Sequence, residues 1–277
     1  MDISICSYSF HRLLAAGKQD IDRYITDCKE LGCTGLDAWN GHFPEIGVGD
    51  KAVTPDQIAS TTLLSADEES YIASIKAASD KAGIPFGALA VDGAHIYEED
   101  ADAARCNRVR AYRWIEIGSR LGAKQIRVDA GGPKELTDEM FSVIKEGYAD
   151  IIARAKAKGI QIIMENHWGS NSVPDNVVRY LQGIPGLGYL FDTHNWAEGY
   201  RDEGRVKTVK YATATHVKTF AWDENGHEVG DDAEPAIQLL LDSGYSGSWG
   251  IESVPRDGDE YGSAAKSVAL IKRMVAA

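Results

Sequence analysis

Four side chains of the types that bind hard divalent cations each follow a short apolar or small-residue run. Glu165 ends QIIME, Asp192 ends GYLFD, His216 ends ATH and Glu252 ends SWGIE. Carboxylates with one imidazole favour Mn²⁺, Mg²⁺ or Co²⁺, admit Zn²⁺, and match copper or iron–sulfur sites poorly. Such carboxylates brought together without a cation would raise the pKa of at least one of them through like-charge repulsion. The set predicts a divalent-metal site.

Each of these residues has an ordinary explanation when it is taken alone. A single acid after a strand is commonly a loop residue or a helix cap. A histidine inside ATHVKTF is commonly a hydrogen-bonded core residue. The metal prediction therefore depends on an architecture that brings the four side chains to one place.

The chain alternates between short β-rich runs and longer helix-like stretches. Strands are predicted at 3–10, 34–39, 85–91, 124–130, 161–166, 188–193, 214–220 and 248–253. Helices are predicted at 19–31, 66–82, 100–121, 137–158, 174–183, 203–211, 232–243 and 259–276. Several helices end in glycine before the next strand, as in LGAKQI and KGIQII, and glycine accepts the left-handed conformation of a helix cap.

This alternation predicts the α/β class and a (β/α)8 TIM barrel, with residues 1–277 as a single domain. A doubly wound open sheet is the alternative, but CSYSFHRLL lacks the glycine-rich turn that usually follows its first strand. Chemistry in a TIM barrel lies at the carboxyl ends of the strands. The four candidate ligands come from four consecutive predicted strands, so we expect them to converge.

Two further residues share a strand face with these ligands. His167 follows Glu165 by two positions and Lys218 follows His216 by two, and residues two apart on a strand point the same way. His167 is thus a candidate general acid or base near neutral pH. Lys218 is a candidate for binding a carboxylate, a phosphate or a developing oxyanion. The alternatives are a loop histidine bonded to backbone and a solvated loop lysine.

Composition narrows the classes of partner and compartment. The net charge of −13 would repel a polyanion, so we expect no nucleic-acid partner. The four cysteines form no CxxC pair, which is typical of reduced thiols in a cytoplasmic protein. The N-terminal MDISICSYSF does not have the pattern of a signal peptide. No run has the length and apolarity of a membrane span, so we expect no membrane partner.

Several stretches resemble the xylose isomerase-like TIM barrels, the superfamily of sugar phosphate isomerases and epimerases. They are IIMENH, LFDTHN, THVKTF and GHEVGDDAEPAIQLLLDSGYSGSWGIES. The resemblance covers essentially the whole chain. It implies that Glu165, Asp192, His216 and Glu252 hold a metal, with Mn²⁺ as the expected ion, which bridges a substrate carbonyl and its neighbouring hydroxyl. It also implies that Glu165 and Glu252 are catalytic and exchange a proton on opposite faces of a ketose, and that the protein is a homo-oligomer.

The chain departs from the ketose-epimerase pattern at two positions. The family's sugar-binding histidine falls at Asn195, with His194 one position earlier. The family's substrate arginine falls at Trp222. His194, Asn195 and Trp222 are therefore candidate substrate-binding residues, and the departures weaken the case for 3-epimerisation of a free ketose.

A long connection follows the second predicted strand. Segment 40–65 is predicted to be a substrate lid, because loops of this length in compact domains are usually functional. Trp39 and His42 are candidate substrate contacts in this region. An ordered decoration or a subunit contact is the alternative. Trp168, Trp196 and Trp222 follow three successive ligand strands and are candidates for the wall of a sugar or aglycone site, with plain packing as the alternative.

The leading hypothesis is a metal-dependent isomerase or epimerase of a sugar or sugar derivative, which removes a proton next to a carbonyl and passes through an enediolate. The second is a lyase or dehydratase of a keto-sugar, keto-glycoside or inosose, with His167 as base, which could require a partner subunit. A nuclease of abasic DNA would need a histidine-rich zinc cluster and a basic groove, against which the seven scattered histidines and the acidic charge argue. The ligand set disfavours a non-enzymatic barrel.

Overall fold

The computed structural model describes residues 1–46 and 54–276. Its eight strands lie parallel in the order β1-β8-β7-β6-β5-β4-β3-β2. The strands are β1 (Ile3–Ile5), β2 (Leu36–Trp39), β3 (Phe86–Ala90), β4 (Gln125–Arg127), β5 (Gln161–Glu165), β6 (Gly188–Asp192), β7 (Ala214–Thr219) and β8 (Trp249–Ser253). A parallel bridge between Cys6 and Asp37 joins the two ends of this order. The sheet is a nearly closed barrel, which confirms the predicted single-domain (β/α)8 fold.

Ten α-helices are present in the described part of the chain. They are α1 (His11–Ala15), α2 (Ile21–Glu30), α3 (Ile58–Thr62), α4 (Ala66–Ala82), α5 (Ala101–Leu121), α6 (Asp138–Lys156), α7 (Pro174–Gly183), α8 (Arg201–Thr208), α9 (Ala233–Asp242) and α10 (Glu260–Val275). All eight predicted helices are confirmed to within a few residues. The side chains of Asp100 and Thr137 cap α5 and α6. The predicted glycine caps are confirmed at Gly122 and Gly159, with φ of 75° and 74°.

The first strand is shorter than predicted. Segment 3–10 leaves the sheet after Ile5, and Ser7–Phe10 form a 3₁₀ turn. The hydroxyl of Ser7 accepts from the Trp39 N–H at 2.8 Å, and that of Ser9 accepts from the Ser253 N–H at 2.9 Å. These side chains replace backbone pairing with the neighbouring strands, so the backbone is free to turn. The hydroxyls of Ser7 and Ser9 therefore have a structural role.

The connection 40–65 is only partly described. It begins with a 3₁₀ turn at Asn40–His42, and its second part contains α3. The side chain of Arg113 on α5 donates to the carbonyls of Thr61 and Leu63 at 3.0 and 2.7 Å, which ties this second part to the barrel. Residues 47–53 lie outside the described residues, and the lid stays a prediction. No helix of the described residues has the length and apolar character to cross a membrane.

The two-residue period of the strands separates the barrel interior from the helix-facing core. Ile162 and Met164 on β5 belong to the main core between strands and helices. Ile163, Leu190 and Ala214 form a separate buried cluster. These three residues precede Glu165, Asp192 and His216 by two positions, so they share their inward face. An apolar layer inside the barrel therefore lies directly below the candidate ligands.

Tyr24 on α2 stabilises the joint between β1 and β2. Its hydroxyl accepts from the Asp37 N–H at 2.8 Å and lies 2.7 Å from the Ile5 carbonyl and 2.9 Å from the Asp37 carbonyl. The tyrosine is fully buried. The pairing of β2 with β3 shifts register between Leu36 and Asp37, so the tyrosine hydroxyl satisfies backbone groups that the irregular ladder leaves unpaired.

The substitution Tyr24→Phe is expected to lower the free energy of unfolding by about 1–3 kcal/mol, because the buried Asp37 N–H would lose its acceptor. Urea denaturation followed by circular dichroism measures the change. Tyr148→Phe is the matched control, since Tyr148 is equally buried and its hydroxyl donates only to the Val128 carbonyl at 2.8 Å. Equal losses in the two variants would contradict a special role for Tyr24 at the joint.

Candidate metal centre

The four predicted ligands meet at the carboxyl ends of β5 to β8. Each of Glu165, Asp192, His216 and Glu252 places one nitrogen or oxygen atom within 4.8 Å of the others. All four are buried, with at most 8% of each residue exposed. Adjacent strand ends of a barrel converge, so the fold alone accounts for the meeting of residues that are far apart in the chain.

His216 lies between the two glutamates. Its Nδ1 is 3.0 Å from Oε2 of Glu252 and 3.4 Å from Oε1 of Glu165. Its Nε2 points away from this set and lies 3.0 Å from Oδ2 of Asp37. The nitrogen that faces the carboxylates is therefore Nδ1.

Asp192 has one oxygen held by backbone and one left over. Its Oδ1 accepts from the N–H groups of His194 at 2.6 Å and Asn195 at 2.8 Å. Its Oδ2 is buried and has no hydrogen-bond partner among the described residues. A buried carboxylate oxygen without a partner is costly unless a cation or a donor reaches it.

Lys218 is the cationic side chain closest to this oxygen. Its ammonium group contacts the Glu252 carboxylate, and its Nζ lies 3.4 Å from Oδ2 of Asp192. The lysine is buried, and its pKa stays raised because the surrounding carboxylates outweigh the cost of burial. The side chain of Lys218 thus points toward the candidate ligands, on the same side as His216, as its spacing in the sequence predicted.

The remaining charge imbalance is visible at Asp192. Burial raises its pKa, Lys218 opposes this, and repulsion from Glu165 and Glu252 adds to burial, so the pKa is raised to about 6. Burial would also raise the pKa of Glu165, but the charges of His167, His216 and Arg127 lower it to about 2. The site thus consists of three acids and an imidazole, and one carboxylate oxygen of Asp192 has no hydrogen-bond partner among the described residues. This combination suits a divalent cation.

Arg127 connects this set to a second group of acids. The guanidinium is buried and lies 2.5 Å from Oδ2 of Asp129, 2.9 Å from Oδ1 of Asp92 and 3.4 Å from Oε2 of Glu165. Arg127 was not among the site residues predicted from the sequence. Its signal was present in KQIRVDA, because a charged residue inside a buried strand requires partners, and Asp129 follows two positions later on the same face.

His167 is anchored at one end of its ring. Its Nδ1 lies 3.2 Å from Oδ2 of Asp129. Burial lowers the pKa of His167, but the Glu165 charge and the hydrogen bond to Asp129 outweigh this and raise it. Since an ionised carboxylate only accepts, Nδ1 carries the proton, and Nε2 is the nitrogen free to exchange one.

A cavity of about 370 Å³ opens over these groups, within the range of roughly 300–1,000 Å³ found for small-molecule sites. Seven residues proposed from the sequence line it, namely Trp39, His167, Trp168, His194, Asn195, Lys218 and Glu252. Arg127 also lines it. Trp168 is 63% exposed, so its ring is accessible at this cavity.

His42 and Trp222 lie elsewhere among the described residues. His42 is fully buried beside Tyr24, and burial lowers its pKa to about 4. The indole of Trp222 donates to the Ser263 hydroxyl on α10 at 2.8 Å. The short turn at Asn40–His42 and the bridge between Trp222 and Glu228 direct these side chains into packing. Substrate contacts from both stay predictions.

His194 and Asn195 are positioned by their neighbours. The Asn195 amide donates to Oε1 of Glu165 at 3.2 Å. Nδ1 of His194 lies 3.2 Å from Oδ2 of Asp231, and its ring packs on Phe220. Asp231 belongs to the acidic run WDENGHEVGDDAE, so this acid lies against a cavity residue.

Comparison with known proteins agrees with this fold. The family model for the xylose isomerase-like TIM barrel matches residues 25–274. No curated protein sequence matches the chain significantly. Similar solved structures show the same fold at low sequence identity.

A D-allulose 3-epimerase from Methylomonas sp. has a TM-score of 0.70 at 14% identity, over 99% of this chain and 98% of that one. The "probable 3-DHS dehydratase AsbF" from Bacillus anthracis has a TM-score of 0.67 at 12% identity, over 98% and 99%. A xylose isomerase-like barrel protein from Mycobacterium smegmatis in complex with magnesium has a TM-score of 0.65 at 16% identity, over 99% and 97%. This chain belongs to the xylose isomerase-like TIM barrel family.

Proposed function

We propose that this protein is a metal-dependent isomerase or epimerase of a sugar or sugar derivative, which removes a proton from a carbon next to a carbonyl. The observation that carries the proposal is that the four-residue ligand set includes Glu252, which lines one cavity together with the anchored His167. The similarity to an allulose epimerase supports this class of reaction. The departures at Asn195 and Trp222 make a sugar derivative a better candidate than a free ketose.

Glu165, Asp192, His216 and Glu252 would hold the cation. Mn²⁺ is our choice, with Mg²⁺, Co²⁺ and Zn²⁺ also compatible with such ligands. When bound, a divalent ion supplies Lewis acidity that makes a C–H next to a carbonyl easier to deprotonate. The magnesium in a structurally similar barrel supports a divalent ion here.

The two glutamates supply proton exchange in the leading mechanism. Glu165 and Glu252 lie on either side of Nδ1 of His216, on strands separated by β6 and β7. One carboxylate removes the proton from one face of the substrate carbon, and the other returns a proton to the opposite face, which inverts that carbon. Arg127 and Asn195 hold the two oxygens of Glu165 and so orient it.

The cavity residues position the substrate. Arg127 and Lys218 place positive charge beside the reacting carboxylates, where it favours oxygen atoms that gain negative charge. Trp39 is held by a hydrogen bond from its indole to Oδ2 of Asp92 at 2.8 Å. Trp168 presents an exposed aromatic face at the cavity. These aromatic groups suit the apolar face of a sugar ring or an attached aglycone.

A lyase or dehydratase is the second candidate, and the contact between His167 and Asp129 favours it. Nε2 of His167 would take the proton next to the carbonyl, and Asp129 would stabilise the imidazolium. The C–H electrons then form a carbon–carbon double bond as a hydroxyl or aglycone leaves with a proton from an acid in the site. The similarity to AsbF supports this alternative.

Solvent exchange tests both candidates. The Mn²⁺-loaded protein is incubated in D₂O with ketoses, 3-keto-glycosides and inososes, and products are followed by NMR and mass spectrometry. We expect deuterium at the carbon next to the carbonyl with inversion and no loss of water. Release of water or aglycone would favour the lyase. Absence of exchange and conversion across the panel would contradict both candidates.

The substitution His167→Ala separates the two mechanisms. If His167 is the base, kcat should fall by roughly 10²- to 10⁴-fold, with bound metal unchanged by mass spectrometry of the purified protein. His227→Ala is the control, because His227 is exposed and pairs with Glu234. If His167→Ala keeps the kcat of the wild type, His167 is not the base and its role is structural.

Asp192→Asn should separate metal binding from folding. The pKa of Asp192 is raised to about 6 in the folded protein, so above about pH 6 its carboxylate is ionised there at a cost in folding stability. At pH 7.5 in EDTA, we therefore expect the variant to unfold at or above the wild-type temperature. With Mn²⁺, the wild type should gain stability as RT ln(1 + [Mn²⁺]/Kd), and the variant much less.

The matched control is Asp175→Asn, since Asp175 is exposed and pairs with Lys207. Scanning fluorimetry with and without Mn²⁺ reports both effects. An Mn²⁺-induced shift in Asp192→Asn as large as that of the wild type would argue against Asp192 as a ligand.

A further inference from the structure

We propose that Asp37 is a positioning residue for His216. Its carboxylate accepts the Nε2–H of His216 and thereby leaves the lone pair of Nδ1 directed at the three candidate carboxylate ligands. This inference rests on the proposed function, because it concerns how His216 is prepared to hold the metal.

The two ring nitrogens of His216 have opposite surroundings. Nε2 lies 3.0 Å from Oδ2 of Asp37, and Nδ1 lies 3.0 Å from Oε2 of Glu252. A neutral imidazole carries its proton on one nitrogen and a lone pair on the other. A carboxylate acceptor at Nε2 selects the tautomer with the proton there. Metal-bound histidines commonly donate their other N–H to a carboxylate in this way.

The backbone of β2 holds this carboxylate in place. The register shift between Leu36 and Asp37 and the bridge from Cys6 locate the residue at the barrel joint. The Tyr24 hydroxyl contacts both the N–H and the carbonyl of Asp37. Because the backbone of Asp37 pairs with both neighbouring strands and contacts Tyr24 on α2, the residue has little freedom to turn its side chain away from His216.

The facing strand leaves room for the carboxylate. A Cβ at Gly250 would lie 2.1 Å from the Thr215 carbonyl and 3.3 Å from Oδ2 of Asp37. The glycine in SWGIES therefore lets β8 approach β7 beside the pair formed by Asp37 and His216. Any larger residue at 250 would have to displace backbone.

Asp37 also reaches a second cavity. This cavity has a volume of about 340 Å³ and is lined by residues at the amino-terminal ends of the strands, such as Ser4, Gly87 and Gln125. Oδ1 of Asp37 has no hydrogen-bond partner among the described residues. This cavity has room for water, which would satisfy Oδ1 while Oδ2 stays with His216.

Cys6, Asp37 and His216 also lie within 4.8 Å of one another. A soft cation bound by these three would use Nε2 and would remove its proton, which is the opposite of the arrangement proposed here. Cys6→Ser distinguishes the two cases, since it removes the thiolate and keeps Asp37. Co²⁺ bound to the proposed ligands has no sulfur donor, so it should show no thiolate charge-transfer band.

The experiment is a Co²⁺ titration of the wild type, Asp37→Asn, Cys6→Ser and His216→Ala, followed by absorption. We expect Asp37→Asn to weaken Co²⁺ affinity about 10- to 100-fold and Cys6→Ser to leave it unchanged. Asp27→Asn is the matched control, because Asp27 is a buried carboxylate bonded to Gln19 and Arg23. Circular dichroism in EDTA checks that each variant is folded.

A second measurement needs no variant. In ¹⁵N-histidine-labelled wild type with Zn²⁺, NMR should assign the His216 proton to Nε2. A proton on Nδ1, or Co²⁺ affinity in folded Asp37→Asn equal to the wild type, would overturn the inference. If the wild type binds no Co²⁺, or His216→Ala binds it as well as the wild type does, the proposed metal centre itself fails. The two failures are therefore distinguishable.

Discussion

Repulsion among three buried carboxylates is the constraint on which the site depends. Glu165, Asp192 and Glu252 lie with His216 inside the barrel, where burial makes uncompensated charge costly. Lys218 and Arg127 offset part of this charge from two sides. Burial, with repulsion from Glu165 and Glu252, keeps the pKa of Asp192 raised even though Lys218 lowers it. A divalent cation is the simplest group that completes the offset.

Arg127 links the candidate metal centre and the part of the cavity around His167 into one network of charged groups. It contacts Glu165 in the first and Asp92 and Asp129 in the second, and Asp129 in turn holds His167. A change at any of these acids would alter the charge that the others experience. The leading mechanism and its alternative therefore use the same machinery, and they differ in which group takes the proton.

Much of the fold could be predicted, because the alternation of strands and helices is a local property of the sequence. The glycines that end α5 and α6 and the two-residue period that aligns Ile163 with Glu165 are short-range patterns. The first strand shows the limit of such patterns, because it was predicted at 3–10 and ends at Ile5. Whether Ser7 and Ser9 continue a strand depends on the backbone groups that neighbouring strands present to their hydroxyls.

By itself, the sequence determined the types of the candidate ligands, the strands that carry them and the face on which they lie. Only the tertiary structure decided the partners that orient them. Asp37 and His216 are 179 residues apart, and Arg127 lies 40 residues from His167. No local pattern relates residues at such separations, because closure of the barrel brings them together. For the same reason, no local pattern predicts that His42 packs beside Tyr24 or that Trp222 donates to Ser263.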